Sequence, residues 1–232
     1  MVTSQDPPRI GLVHAVHPAM APIAAAFRRR WPQALTFNLL DDGLPADLER
    51  DGRLTTAMHA RIARLADHAV AAGAQGVLFT CSAFGPAIVA AARRLAQPVL
   101  RPDEAMFEAA LHAGQRIGLL ATFAPAIAST RENFMAQAAE RGLAPQLEVV
   151  CVPEAIAAAR AGDTATHDRL VAAAAPQLAH CAAVMLAHFS TSTALEPVQA
   201  VLPCPVFSAP DAAVDALRRR LQPDYQAVGS TP

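Results

Sequence analysis

The sequence contains no lysine; all 19 of its basic residues are arginine. That excludes Schiff-base chemistry on a lysine amine and the P-loop lysine that reaches nucleotide phosphates. No GxGxxG run occurs, so the dinucleotide fingerprint is missing as well. Aromatic residues are scarce at 5%, which leaves little surface on which to stack bases. The formal charge of −1 and a pI near 6.7 offer no basic face, so neither nucleic acid nor an anionic membrane is expected as a partner. No apolar run approaches the roughly 18 residues that a membrane-spanning helix needs. The opening "MVTSQDPPRIGLV" lacks the basic and apolar regions of a signal peptide, and a cytoplasmic address is the expectation. Cysteine is limited to Cys81, Cys151, Cys181 and Cys204, widely spaced and without a CxxC pair, which argues against a disulfide framework.

What is present is an internal repeat. "RIGLVHAVHPAMAPIAAAF" from Arg9 and "RIGLLATFAPAIASTRENF" from Arg116 share eight of nineteen residues at an offset of 107. The same offset lays Pro98-Val99-Leu100 on Pro205-Val206-Phe207 and Val77–Ser82 on Val184–Phe189. Around the second strand of each half the match shifts, and Phe37–Leu40 fits Leu147–Val150 at 110. Matches between alanine-rich helices arise by chance, but strands matching at one offset in three separated places indicate a duplication.

Each half reads as strand, helix, strand, long helix, strand, helix, strand, helix. Strands are expected at 9–14, 35–40, 76–80 and 98–101, then at 116–121, 146–151, 183–187 and 205–208. "TTAMHARIARLADHAVAAG" has helical periodicity and closes on Gly73. Apolar strands alternating with helices give an α/β fold with parallel sheets covered on both faces. The expected architecture is two pseudo-symmetric lobes, 1–112 and 113–222, with the active site in the cleft between them. The last helix of the first lobe could cross to the other, and 223–232 reads as a frayed tail. Ligands of open parallel sheets bind beyond the strand carboxyl ends. The candidate residues are therefore 14–17, 38–42, 80–84, 121–123 and 188–193.

"VLFTCSAFG" places Cys81 at the end of a third strand, just before a helix, where a helix dipole lowers a thiol's pKa. At the offset of 107 its counterpart is His188, in "VMLAHFSTS". A thiol and an imidazole facing each other across a cleft would form an acid/base pair that moves a proton from one face of a ligand to the other. The alternative is a packed thiol and a hydrogen-bonded core histidine. Backbone N–H groups following Cys81 and His188, together with Ser82, Ser190 and Thr191, read as helix caps, and capped helix starts are ready anion sites. Thr122 offers a further hydroxyl, and Ala83 and Phe123 stand on the same strand-end loops.

At these residues the chain resembles the aspartate/glutamate racemase superfamily, which includes amino-acid, hydantoin and allantoin racemases, maleate isomerases and arylmalonate decarboxylases. The resemblance is carried by "VLFTCSAFG", "PVLRPDEAMFEAAL", "RIGLLAT" followed by Ser129-Thr130, and "CPVFSAPDAAVDAL". It implies two pseudo-symmetric α/β lobes, no cofactor, a small carboxylate substrate and a thiol from each lobe beside its α-carbon. Possible homodimers or higher homo-oligomers follow from family habit. Cys81 matches the first thiol, whereas the second position is occupied by His188. An imidazole can replace a thiol as acid or base.

The reading that follows is a cofactor-independent racemase or isomerase with Cys81 and His188 as catalytic residues. His14, Asp42, Ser82, Ala83, Thr122, Phe123, Ser190 and Thr191 would bind substrate. A decarboxylase using Cys81 as proton donor is the first alternative. A metal-assisted hydrolase built on His14, His17 and His188 is the second, although no metal site is assigned, and a non-catalytic sensor is a third. Asp41 and Asp42 also fit a plain surface loop. Arg28–Arg30 and Arg218–Arg220 read as solvated helix ends, and Cys151 and Cys204 as structural.

Overall fold

The computed structural model describes residues 7–225. Its first half runs β1 (Arg9–His14), α1 (Met20–Arg30), β2 (Leu35–Leu40), α2 (Leu44–Asp51), α3 (Thr56–Ala71), β3 (Gly76–Phe79), α4 (Gly85–Ala92), β4 (Val99–Leu100) and α5 (Glu104–Ala113). The second half runs β5 (Arg116–Ala121), α6 (Ile127–Glu140), β6 (Gln146–Cys151), α7 (Pro153–Arg160), α8 (Thr164–Ala174), β7 (Ala183–Leu186), α9 (Leu195–Gln199), β8 (Val206–Ser208) and α10 (Ala209–Leu221). Two parallel four-stranded sheets result, ordered β2-β1-β3-β4 and β6-β5-β7-β8. The expected α/β class and all eight strands are present. Every residue of β3 and β7 is buried, as a strand covered on both faces by helices requires.

Three strand pairs begin 107 residues apart: Arg9 and Arg116, Gly76 and Ala183, Val99 and Val206. The second strands correct the expected offset of 110. Gly11 pairs with Phe37 and Gly118 with Glu148, so the offset there is 148 − 37 = 111. One residue matters, because a single-residue slip turns every side chain to the other face. The apolar match was misleading because this edge-strand position is partly exposed and meets an arginine in both halves. Arg9 lies over the Phe37 ring at 4.8 Å, and Arg116 Nε lies 3.4 Å from Glu148 Oε1.

Each expected long helix is also two helices. Gly52 closes α2 at φ 62° and Gly162 follows α7 at φ 81°, a left-handed conformation that glycine adopts without a Cβ penalty. A new helix is then capped in each case. The Thr55 hydroxyl accepts from the Met58 N–H at 3.3 Å, and the Asp163 carboxylate accepts from the Thr166 N–H at 2.9 Å.

The chain forms two compact units, Met1–Pro102 with Ala213–Pro232, and Asp103–Ala212. The core of the first includes Val13, Ile62, Val77, Phe84 and Ile88, and that of the second Leu120, Val171, Val184, Leu186 and Val198. Each unit takes a helix from the other half of the sequence. In the second unit, Phe107 of α5 meets Phe134 of α6 edge to face at 5.4 Å, and Gln137 donates to the Glu104 carbonyl at 2.8 Å. In the first, α10 docks on α1, and here the arginine runs depart from the solvated reading. Arg30 forms an ion pair with buried Asp215, while Arg218 donates to the Arg30 carbonyl at 2.7 Å and covers Trp31 and Tyr225. Of the six arginines in the two runs, Arg28, Arg29, Arg219 and Arg220 are exposed. The tail is anchored through Tyr225, whose hydroxyl donates to Asp215 at 3.0 Å. The rest of the expected tail, 226–232, and the start of the leader reading, 1–6, lie outside the described residues. Among the described residues no helix is long and apolar enough to cross a membrane.

Candidate active site

In a parallel sheet all strands end at one edge, and in the first unit that edge carries His14, Asn38, Thr80, Cys81 and Arg101. His14 is 1% exposed, with Nδ1 2.9 Å from the Thr80 hydroxyl and Nε2 2.9 Å from Asn38 Oδ1. Asn38 Oδ1 can only accept, so Nε2 carries the proton and Nδ1 accepts from Thr80. Burial lowers the His14 pKa, and the nearby His17 adds to this against the opposing Asn38 hydrogen bond. The ring is thus a neutral lock joining the ends of β1, β2 and β3 through Thr80, the residue before Cys81.

Cys81 has extended backbone, φ −126° and ψ 119°, and precedes the short 3-10 helix Ser82–Phe84. It is half-buried, and none of the four cysteines is in a disulfide. The thiol residue lines an open pocket of about 440 Å³ with Pro45, Leu48, Glu49, Ala83 and Phe84. Apart from Glu49 these neighbours are apolar. Ser82 and Asp42 are exposed. Asp41 and Asp47 both pair with Arg61, which fixes the start of α2, the pocket's other wall.

The second unit places Thr122, Phe123 and His188–Thr193 at the corresponding edge. His188 is the one non-glycine residue with positive φ among the described residues, at φ 67° and ψ 154°. That region belongs almost wholly to glycine, and it costs a side chain about 1–3 kcal/mol. The His188 Nε2 is buried and has no hydrogen-bond partner. Burial also lowers the pKa of this imidazole, which keeps it neutral. Thr122 and Thr191 are both buried, with their hydroxyls 3.5 Å apart. Ser190 and Phe123 are exposed, and the Arg160 guanidinium stands 5.9 Å from the Phe123 ring.

The expected side-chain caps are not formed. The 3-10 helices Ser82–Phe84 and Phe189–Ala194 have Cys81 and His188 as their flanking residues, and neither has a side-chain cap bond. Ser192 instead turns back to the Phe189 carbonyl at 2.6 Å. A tight first turn already satisfies donors that a side-chain oxygen would otherwise take.

Two features escaped the sequence reading. Arg101 directly follows β4, with Cδ and Nη1 3.8 and 3.9 Å from where a Cβ would stand on Gly85, at the start of the helix after Cys81. The strand-end rule would have found it, had it been applied to the fourth strand. The second is a pair in α8, a buried His167 and a half-buried Asp168. His167 Nδ1 lies 2.7 Å from Asp168 Oδ1, and the Thr193 hydroxyl donates to the same oxygen at 2.6 Å. This network holds the turn that follows His188, and nothing in the sequence around "THD" marks it. The histidine cluster of the metal-assisted hydrolase alternative finds no support: among the described residues, His14, His17 and His188 do not form a group of ligand atoms within reach of one another. Among the described residues the one group of three with ligand atoms in reach of each other is Glu148, His180 and Cys181.

The Asp/Glu/Hydantoin racemase family model matches residues 20–150, more than half of the chain. The chain belongs to that family. It is accordingly an enzyme of the racemase and isomerase kind, acting on a small molecule. No curated protein sequence matches it. Similar solved structures share the fold. Allantoin racemase from Klebsiella pneumoniae is 17% identical with TM-score 0.69, over 95% of this chain and 90% of that one. Aspartate racemase from Picrophilus torridus is 13% identical with TM-score 0.66, over 92% and 94%. An arylmalonate decarboxylase is 21% identical with TM-score 0.63, over 96% of both chains.

Proposed function

We propose that this family member moves a proton at the acidic α-carbon of a small carboxylate or related compound, racemising or isomerising it without a cofactor. Cys81 and His188 are the acid–base pair, each contributed by its own unit. One observation carries the reading: a neutral imidazole with a buried, unpartnered Nε2 on a strained backbone, at the position that repeats Cys81 after 107 residues. Strain of this kind persists where function requires the geometry.

In the forward direction the Nε2 lone pair of His188 takes the α-proton. The electron pair moves onto the substrate carboxylate as an enediolate, and the Cys81 thiol delivers a proton to the opposite face. The reverse direction uses the Cys81 thiolate as base and the His188 imidazolium as acid. Backbone N–H groups after Cys81 and His188, with Thr122, Ser82, Ser190 and Thr191, hold the developing oxyanion. His14 acts through Thr80 by keeping the strand end before Cys81 in place. The apolar walls beside Cys81 favour a substrate with an apolar α-substituent.

The single thiol, and the fold shared with arylmalonate decarboxylase, support a second reading in which CO₂ departs and Cys81 protonates the carbanion. One experiment addresses both. Carboxylates bearing α-aryl or α-alkyl groups, aspartate, hydantoins and α-substituted malonates are incubated in D₂O, and α-deuteration, chirality and CO₂ are followed. Exchange with loss of optical purity is expected, reduced about 10²–10⁴-fold in Cys81→Ala. CO₂ release from malonates without exchange of monoacids selects the decarboxylase. Full activity in Cys81→Ala eliminates both readings.

A further inference from the structure

Away from the strand ends, at the entry side of the second sheet, three different ligand types converge. Glu148 is the third residue of β6, and His180 and Cys181 lie just before β7. One ligand atom from each lies within 4.8 Å of the other two, and His180 Nε2 is 2.8 Å from Glu148 Oε2. We propose that Glu148, His180 and Cys181 form a binding site for a borderline divalent transition metal of the Zn²⁺ type.

Imidazole nitrogen, thiolate sulfur and carboxylate oxygen are the donor set such ions prefer, and harder ions such as Mg²⁺ do not. A tetrahedral Zn²⁺ at ordinary bond lengths needs an N···O separation of about 3.3 Å and S···N and S···O separations of about 3.6 Å. The His180–Glu148 contact has only to open by about half an ångström. Both side chains have room for that, being 49% and 39% exposed, while Cys181 supplies a buried, fixed anchor. Three protein ligands leave the fourth position to water. The other oxygen of Glu148 faces Arg116 Nε at 3.4 Å, an outer contact of the kind that orients a ligating carboxylate.

The duplication supplies an internal control. The equivalents of His180 and Cys181 at offset 107 are Gly73 and Ala74, and the register equivalent of Glu148 is Phe37. All three positions lack a ligand in the first unit, and all three carry one in the second. When the ion binds, the Cys181 S–H bond breaks, the sulfur electron pair goes to the metal, and the proton leaves to solvent. The ion then ties edge strand β6 to the segment entering β7.

The test is titration of the chelator-stripped full chain with Co²⁺ alone and with Zn²⁺ alone. One Co²⁺ per chain is expected, with a thiolate-to-cobalt charge-transfer band that is displaced by Zn²⁺ and disappears in Cys181→Ala. The band persists in Cys81→Ala and Cys151→Ala. The exposed substitutions His180→Ala and Glu148→Gln, which leave the core untouched, weaken Co²⁺ binding at least tenfold. Absence of the band in the unaltered chain overturns the site. Persistence of the band in Cys181→Ala, or unchanged affinity in His180→Ala, does the same.

Discussion

His188 holds the clearest conflict between stability and chemistry in this molecule. Its side chain sits where glycine belongs, and its Nε2 is buried without a partner. Glycine at this position relieves the backbone strain that alanine retains. His188→Gly is therefore expected to be more stable than His188→Ala by about 1–2 kcal/mol in urea unfolding, with both variants inactive. Equal stabilities would show that the backbone there is relaxed. His188 also shapes the response to acid. Both His14 and His188 have pKa values lowered below 6.5 by burial, so on acidification the unfolded chain takes up protons first. Their stabilising effect is complete above about pH 6.5 and is lost as the pH falls below it towards the folded values. The urea midpoint should drop between about pH 7.5 and about pH 5.5, and drop less in His188→Gln. An identical slope in that variant would remove His188 from the account.

At the scale of elements, the turn carrying Thr191 is secured from α8. The Asp168 carboxylate accepts from both His167 and Thr193, and His167 is 1% exposed. Thr193→Val removes one of these bonds and leaves the His167–Asp168 pair intact. The expected cost is about 1 kcal/mol. Amide exchange should quicken over Phe189–Ala194 with α8 unchanged, as followed by hydrogen–deuterium exchange. Uniformly faster exchange would mean that the network stabilises the whole unit. Elements also show where the sequence was legible. The apolar runs located all eight strands, most sharply β3 and β7, where burial on both faces leaves no room for polar residues. The edge strands broke the pattern, since Phe37 and Glu148 satisfy the same arginine contact by different chemistry.

At the scale of the molecule, the notable feature is that each compact unit incorporates a helix encoded in the other half. The α10 helix is held by an ion pair between Arg30 and Asp215, two residues 185 positions apart in sequence. Asp215 is 8% exposed by its side chain and also accepts from Tyr225. Asp215→Ala removes the carboxylate that the half-buried Arg30 guanidinium and the Tyr225 phenol share. The expected loss is about 2 kcal/mol of global stability by thermal or urea unfolding. A negligible loss would show that apolar contacts alone dock the helix.

The sequence by itself determined the α/β class, the duplication, and the equivalence of Cys81 with His188. Apolar periodicity and repeated strand ends are written locally, one residue after another. Only the tertiary structure decided that Arg30 and Arg218 face α-helical neighbours rather than water, that His14 is a neutral lock, and that His188 is strained. It alone assembled Glu148 with His180 and Cys181. Each of these depends on groups brought together from distant positions, or on a backbone angle imposed by surrounding packing, and neither leaves a periodic trace in the chain.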